Sequence, residues 1–549
     1  MNENKDRYRI YHPLIIASVL VIGILIGAYL SVVTGAWLGR TEIGMGKKIF
    51  PLRVPEIGHF NKLNEIINYI DEYYVDTVDR SKLEDKAIDA IFQELDPHSA
   101  YIPPSDLQAV NESLEGNFEG IGIEFNIRND SIVVISAISG GPSEALGIQA
   151  GDRIVMIDGD VVAGKGIVSK DVISKLRGKK GTKVTVQIFR RNTKDLLKYI
   201  ITRDKIPVYS IDASYMVNDS IGYIKVNRFA ETTYEEYLQA FDSLSKRGMT
   251  RMILDLRGNP GGYLNQAKDL ADEFLSDGKV IVFTEGRARP KKIYKATSKG
   301  GFENKDMVVL IDEGSASASE IVSGAIQDND RALIVGRRSF GKGLVQEQAD
   351  MPDGSALRLT IARYYTPTGR CIQRSYEEGK EAYYNDITER FKDGEMQDKD
   401  SIHFPDSLKF TTPKGKVVYG GGGIMPDVYV PIDTSENTEY LTDLFINGVV
   451  SQFSFEYADK HRAELSKFAD AKKYDKNFNI DDKLFNDFIT YAEGNKVKKN
   501  PKEIKRSERL IKYQLKSQIA RNIWNNDGYY LVIHHIDDTF QKGLELLEK

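Results

Sequence analysis

The sequence predicts an α/β core, preceded by a unit of short strands, a helical region and, at the N-terminus, one membrane-spanning helix. Three observations carry that fold class. Between Ser220 and Thr284, strand-like runs (IGYIKVNRF, MILDLRGNPGG, KVIVFT) alternate with helical patterns over 232–246 and 265–275, the signature of βα units. Residues 115–204 carry the short runs GIGIEFNI, SIVVISAI, RIVMIDG and KVTVQIFR, with one helical patch near 168–176. Residues 14–33, LIIASVLVIGILIGAYLSVV, hold no charge over a length that crosses a ~30 Å hydrocarbon core as a helix.

Lys5, Arg7 and Arg9 precede the apolar run and Arg40, Lys47 and Lys48 follow it, so flanking charge alone does not orient it. A short basic leader before a first apolar segment is the usual start of a signal-anchor. The run is longer than a signal-peptide core, and no A-x-A site follows. The expectation is an uncleaved single-pass anchor in a bacterial inner membrane, with the remaining chain in the periplasm or outside the cell. A Gly/Pro-containing linker, 35–58, leads to helical spacing at Leu63, Ile66, Ile67, Ile70 and Tyr73, then at Ala87, Ile88, Ile91 and Leu95. LDPHS closes this pair. His98 follows a proline at the helix exit and reads as a capping or packing residue.

In the strand unit, the informative piece is Gly120-Ile121-Gly122-Ile123. Such a loop can turn several backbone N–H groups toward one point, which suits a carboxylate, and the strand after it can accept an extended peptide at its edge. With SGGPSEA and LGIQAGD following, residues 115–204 closely resemble a PDZ domain. Farther on, Arg257-Gly258-Asn259-Pro260-Gly261-Gly262 lies between a strand end and a helix start. It is neither a P-loop nor a G-x-G-x-x-G turn. It can offer a backbone N–H from Gly261 or Gly262 to an oxyanion, or it is simply a tight turn.

The chain is organised around 307–346. An apolar run, Met307 to Ile311, precedes an acidic-Gly-Ser turn and a helical pattern, which sets Ser317 near a helix N-terminus, where the dipole and unpaired N–H groups favour negative charge. Twenty-five residues later Lys342 stands between two glycines, and no histidine lies in the segment. If Ser317 is a nucleophile, the nearest base in sequence is Lys342. The same residues also fit a close-packed helix start and an exposed turn. Beyond Gln346 come a strand over 357–365, a charged insertion over 376–401 and the turn of Gly420 to Gly423. Residues 434–549 are polar with helical periodicity, and no chemistry is legible in them.

Composition bounds the partners. The 549 residues suffice for three or four domains, and the net charge of −5 gives no footprint for nucleic acid. The lysine-rich stretch 496–516 carries Ile504, Ile511, Leu515, Ile519 and Ile523 at helical spacing and reads as a solvated helix face. Cys371 is the one cysteine and reads as structural; no intramolecular disulfide can form.

Taken together, LDPHSAY, GIGIEF, DLRGNPGG, GSASASE, SFGKGLVQ and YYTPTGR, spread over roughly 60–432, resemble the C-terminal processing peptidases, the tail-specific serine peptidases of the S41 kind. The resemblance implies a ClpP/crotonase-like core with an inserted PDZ domain, Ser317 as nucleophile, Lys342 as base and Gln346 orienting the lysine. It implies oxyanion donors at Ala318 and at Gly261 or Gly262, with Asp328 and Glu320 as supporting candidates. No metal or cofactor is expected. The divisions are 1–37 leader and anchor, 38–114 linker and helical region, 115–204 PDZ domain, 205–433 peptidase core and 434–549 C-terminal helical region. The expected activity is endopeptidase cleavage of proteins with free, unstructured C-termini caught by the PDZ loop. Partners are thus peptide substrates and, through the anchor, the membrane; the oligomeric state, a homo-oligomer included, is left open. A non-catalytic PDZ scaffold and a Ser-Lys amidase acting on cell-wall amides are the alternatives.

Overall fold

The computed structural model describes residues 62–128, 130–191 and 193–549. The chain divides into two compact units, Met1–Arg80 and Ser81–Lys549. In the first, the described part is the helix Lys62–Tyr73 and the turn after it, where Arg80 Nη1 donates to Asn68 Oδ1 at 2.6 Å.

The second unit is built on a six-stranded sheet in the order Ile211–Met216, Ile221–Val226, Arg251–Asp255, Met307–Ile311, Leu333–Gly336, Val428–Tyr429. The first pair is antiparallel and every later pair parallel. Parallel strands need both faces covered, and all residues of Ile221–Val226 and Met307–Ile311 are buried. Alternation sorts those side chains between two cores. Val309 and Ile311 pack with Ile321, Val322, Ala325 and Ile326 of the helix Ala318–Asp328, whereas Val308 and Leu310 pack with Phe540 and Leu547 of the helix Asp538–Glu548. The C-terminal region, in which the sequence showed no chemistry, therefore closes one face of the catalytic sheet. Its remaining helices bury Leu444, Phe488, Ile511, Leu515 and Ile519 in a core of their own, so the lysine-rich stretch is the outer face of the long helix Pro501–Ile533.

A second, antiparallel sheet carries Leu344–Asp350 and Ala356–Tyr365, with Ala100–Ile102 and Val280–Gly286 on the latter's other edge. The PDZ unit is a sheet in the order Ile123–Arg128, Ser131–Ala137, Arg153–Ile157, Lys183–Phe189, Leu197–Thr202, with the helix Ser169–Leu176 burying Val172 and Leu176 against it. Among the described residues, strand Ile123–Arg128 pairs on one side only, which leaves an edge for an incoming chain.

One part of the predicted fold class is corrected. Among the described residues no helix is long and apolar enough to cross a membrane. The longest, Pro501–Ile533, is studded with Lys, Arg and Glu, which a hydrocarbon core does not accept. The membrane-spanning helix is therefore dropped from the fold class, and with it the membrane as a partner; the run 14–33 that prompted both lies outside the described residues.

Candidate active site

The turn after Met307–Ile311 shows why the sequence needs so many small residues there. Ser315 Oγ donates to the Leu256 carbonyl at 2.9 Å, Ala316 N and Ser319 Oγ both reach the Asn259 carbonyl at 2.9 Å, and Asp312 Oδ1 accepts from Gly258 N at 2.7 Å. These bonds fasten the turn to the glycine loop 257–262. Ser317 is then forced to φ 55°, ψ −112°, a conformation that costs a non-glycine residue about 1–3 kcal/mol. It is the one residue of 315–328 that is not buried.

Glu320 couples this serine to the lysine loop. Its carboxylate, fully buried, accepts from Ser317 N at 2.7 Å, Gly341 N at 2.7 Å, Lys342 N at 2.9 Å and Ser339 Oγ at 2.5 Å. Burial pushes its pKa up to about 6, against the pull of those four donors. The buried Tyr364 hydroxyl adds a second tie, 2.6 Å from the Lys342 carbonyl and 3.0 Å from that of Ser317. Gly341, at φ 88°, allows the loop its close approach to Glu320. Burial lowers the Lys342 pKa from the usual lysine range; Arg358 lowers it further, while Glu320 and Asp96 oppose. The ammonium has no hydrogen bond or ion pair among the described residues.

The glycine loop supplies the other wall. A Cβ on Gly261 would lie 2.7 Å from Ser317 Cβ, and one on Gly262 would lie 2.1 Å from the Phe229 carbonyl oxygen, so neither position tolerates a side chain. The Gly261 N–H is committed to Asn259 Oδ1 at 2.8 Å, whereas the N–H groups of Gly262 and Ala318 make no hydrogen bond among the described residues. The loop's base is fixed by Arg257, which chelates the buried Asp255 and reaches Asp537 of the C-terminal region at 2.8 Å. Arg257 in turn lowers the pKa of both carboxyls, that of Asp255 far below the usual carboxylate range.

Ser317, Lys342, Gln346, Gly261 and Gly262 line one cleft of about 930 Å³. His98, Arg228, Arg358 and Tyr384, none singled out for chemistry in the sequence, line it too. His98 Nε2 lies 2.9 Å from the Tyr383 hydroxyl, and burial with the Lys342 charge lowers its pKa to about 4, so the ring is neutral at physiological pH. Asp328 is not brought to the cleft. It pairs with the buried Arg370 at 2.6 Å and accepts from Thr366 and Thr368, holding the TPTGR turn. In the PDZ unit, Gly122 has φ 74°, the carbonyls of Ile121 and Gly122 are bonded inward to Ser143 and Ile138, and the N–H groups of Ile121 and Gly122 have no partner among the described residues.

An α/β core with a strained serine at a helix start, beside a unit with a free strand edge and an open N–H loop, belongs to the class of serine-type peptidases. Comparison with known proteins makes this specific. The model of peptidase family S41 matches residues 220–379, the PDZ domain model matches 120–200, and a family of unknown function (DUF8443) matches 440–525. The carboxy-terminal processing protease CtpA of Bacillus subtilis (strain 168) is 37% identical over 316 residues, 57% of this chain and 67% of that protein. The carboxy-terminal-processing protease of Bartonella bacilliformis is 38% identical over 318 residues, 57% of this chain and 72% of its own. A probable CtpA-like serine protease of Staphylococcus aureus (strain N315) is 35% identical over 354 residues, 64% and 70% of the two chains. Among solved structures, the photosystem II D1 C-terminal processing protease is 27% identical, covering 67% of this chain and 92% of its own, with a TM-score of 0.34. The chain belongs to peptidase family S41 and is a carboxy-terminal processing serine peptidase with a PDZ domain.

Proposed function

We propose that Ser317 and Lys342 form the catalytic dyad of this peptidase. The observation that carries the reading is the buried Glu320 carboxylate, which bonds the backbone of both residues and so fixes the serine and the lysine loop as one body. Neutral Lys342 takes the Ser317 hydroxyl proton as Oγ attacks the peptide carbonyl. The developing oxyanion is held by the N–H groups of Ala318 and Gly262, which are uncommitted, in preference to that of Gly261, which Asn259 occupies. Lys342 then protonates the leaving amine, and Lys342, neutral again, takes a proton from the water that attacks and releases the acyl group.

The Gly120 to Ile123 loop receives the substrate's terminal carboxylate, and the open edge of Ile123–Arg128 pairs with the residues before it. Specificity then comes from the tail more than from a pocket at the scissile bond. We place the substrates outside the cytoplasm, on the basic leader and uncharged run of the N-terminal sequence; cell fractionation that finds the enzyme with cytoplasmic markers overturns that placement.

The dyad is tested by replacing Lys342 with Arg, which keeps the charge but stays protonated at any usable pH. The expected result is a loss close to that of Lys342→Ala, with kcat/KM of the wild type rising with pH through the lowered lysine pKa. A folded Lys342→Arg enzyme with most of the wild-type rate makes another residue the base.

A further inference from the structure

The LDPHS motif ends a helix in sequence, yet in the fold it stands at the back of the cleft. Asp96 accepts four hydrogen bonds: from His98 N at 2.9 Å, Ser99 N at 3.0 Å, Ser99 Oγ at 2.5 Å and Thr360 Oγ1 at 2.9 Å. Thr360 N in turn donates to Ser99 Oγ at 3.0 Å. Strand Ala100–Ile102 pairs with Ala356–Tyr365 directly after the motif, and an irregularity in the pairing of Leu344–Asp350 with Ala356–Tyr365 sets Gln346 opposite Thr360. There Gln346 Nε2 donates to Thr360 Oγ1 at 3.1 Å.

The polarity of this chain is fixed from one end. An ionised carboxylate only accepts, so the single Thr360 hydroxyl proton goes to Asp96. The hydroxyl oxygen is left as an acceptor, and the only part of the Gln346 amide that it can take is the nitrogen. The amide oxygen has no hydrogen bond among the described residues, and Gln346 lines the same cleft as Lys342. We propose that Asp96 and Thr360 are positioning residues that fix the Gln346 amide with its nitrogen toward Thr360 and its oxygen toward Lys342. The oxygen makes no bond to the lysine in the structure; in the working site it accepts one lysine N–H and leaves the amine lone pair for Ser317. With the amide reversed, its N–H would cap that lone pair and remove the base. The inference rests on the Ser317–Lys342 reading.

Thr360→Val removes the hydroxyl at nearly constant volume, Thr360→Ser keeps it, and Gln346→Ala removes the amide. Thr360→Val is expected to lower kcat/KM on the order of 10- to 100-fold, carried by kcat, with Thr360→Ser restoring most of it. The Thr360→Val/Gln346→Ala double variant should be no worse than the poorer single variant, because the residues act as one unit. The pH midpoint of kcat/KM should fall in Thr360→Val and hold in Thr360→Ser; the charged and titratable groups around Lys342 are Arg358, Glu320, Asp96 and His98, all unchanged in these variants. Circular dichroism and binding of a substrate C-terminal peptide monitor the fold. A wild-type rate in Thr360→Val, equal losses in Thr360→Val and Thr360→Ser, or multiplying losses in the double variant overturns the relay while leaving the dyad in place. If Lys342→Ala keeps its activity, it is the dyad reading that has failed.

Discussion

Replacing Glu320 with Gln is the most informative single perturbation of the site, because four donors converge on a side chain with no exposed surface. One carboxylate oxygen serves Ser317 N and Lys342 N, the other Gly341 N and Ser339 Oγ. A glutamine can keep its oxygen on the first pair. Its nitrogen then faces Gly341 N and Ser339 Oγ, and only the serine can reverse to accept. One buried N–H is left unsatisfied, at about 1–3 kcal/mol, and the bonds that survive lose their charge assistance, so the total is about 2–5 kcal/mol. The expected kcat loss is on the order of 100-fold, since both reacting groups hang on this anchor.

A pH series separates anchor from bystander. The folded-state pKa of Glu320, about 6, lies above its ordinary value of 4.5, so the folded protein binds more protons than the unfolded chain between those pH values. Stability from this group is fully present below pH ~4.5 and lost as pH rises to ~6, by about 2 kcal/mol at 1.36 kcal/mol per pH unit. The difference in unfolding free energy between wild type and Glu320→Gln, measured by urea titration from pH 4.5 to 7, should therefore narrow by about that amount. A variant with wild-type stability, a pH-independent difference and an intact kcat refutes the role given to this carboxylate.

Two further outcomes follow from the geometry. Asp537→Ala, remote from the cleft in sequence, should destabilise the protein by about 1–3 kcal/mol, since it removes a partner of the half-buried Arg257 and the cap on Phe540 N, and should lower kcat with little change in peptide binding; urea unfolding and steady-state kinetics check both. Amidating the C-terminus of a peptide substrate should lower kcat/KM about 10- to 100-fold, the loss of charge-assisted bonds worth ~1.5–3 kcal/mol, and equal cleavage of acid and amide forms would assign the PDZ loop another part.

What could be read from the residues was whatever is local. The strand before Ser317, the helix after it, the glycines around Lys342 and the open loop at Gly120 to Ile123 each depend on neighbours within a few positions, where periodicity and turn chemistry speak. The relay through Thr360 was not legible, because Asp96 and Thr360 are brought together by strand register and one pairing irregularity. Asp328 is a supporting candidate only on the resemblance, and its pairing with Arg370, which crosses to a distant turn, could not be read from its neighbours. The helix Asp538–Glu548 showed its amphipathic pattern but not the surface it would cover. Charge-free length prompted a transmembrane helix, and that signal alone was not enough to make it part of the fold.

The central sheet depends on Asp538–Glu548 for the cover of one whole face. The stretch that matches the peptidase model ends at 379, yet Val308, Leu310 and Val335 find their covering partners, Phe540 and Leu547, some two hundred residues later. Without that helix the sheet has one dry face and one wet one, so its burial on the second side depends on residues far outside the peptidase match. Arg257, at the root of the glycine loop, takes its partner Asp537 from the same distant segment. A change that detaches Asp538–Glu548 therefore bares one apolar face of the sheet and loosens the root of the glycine loop at the same time, so the sheet and the loop share one distant support.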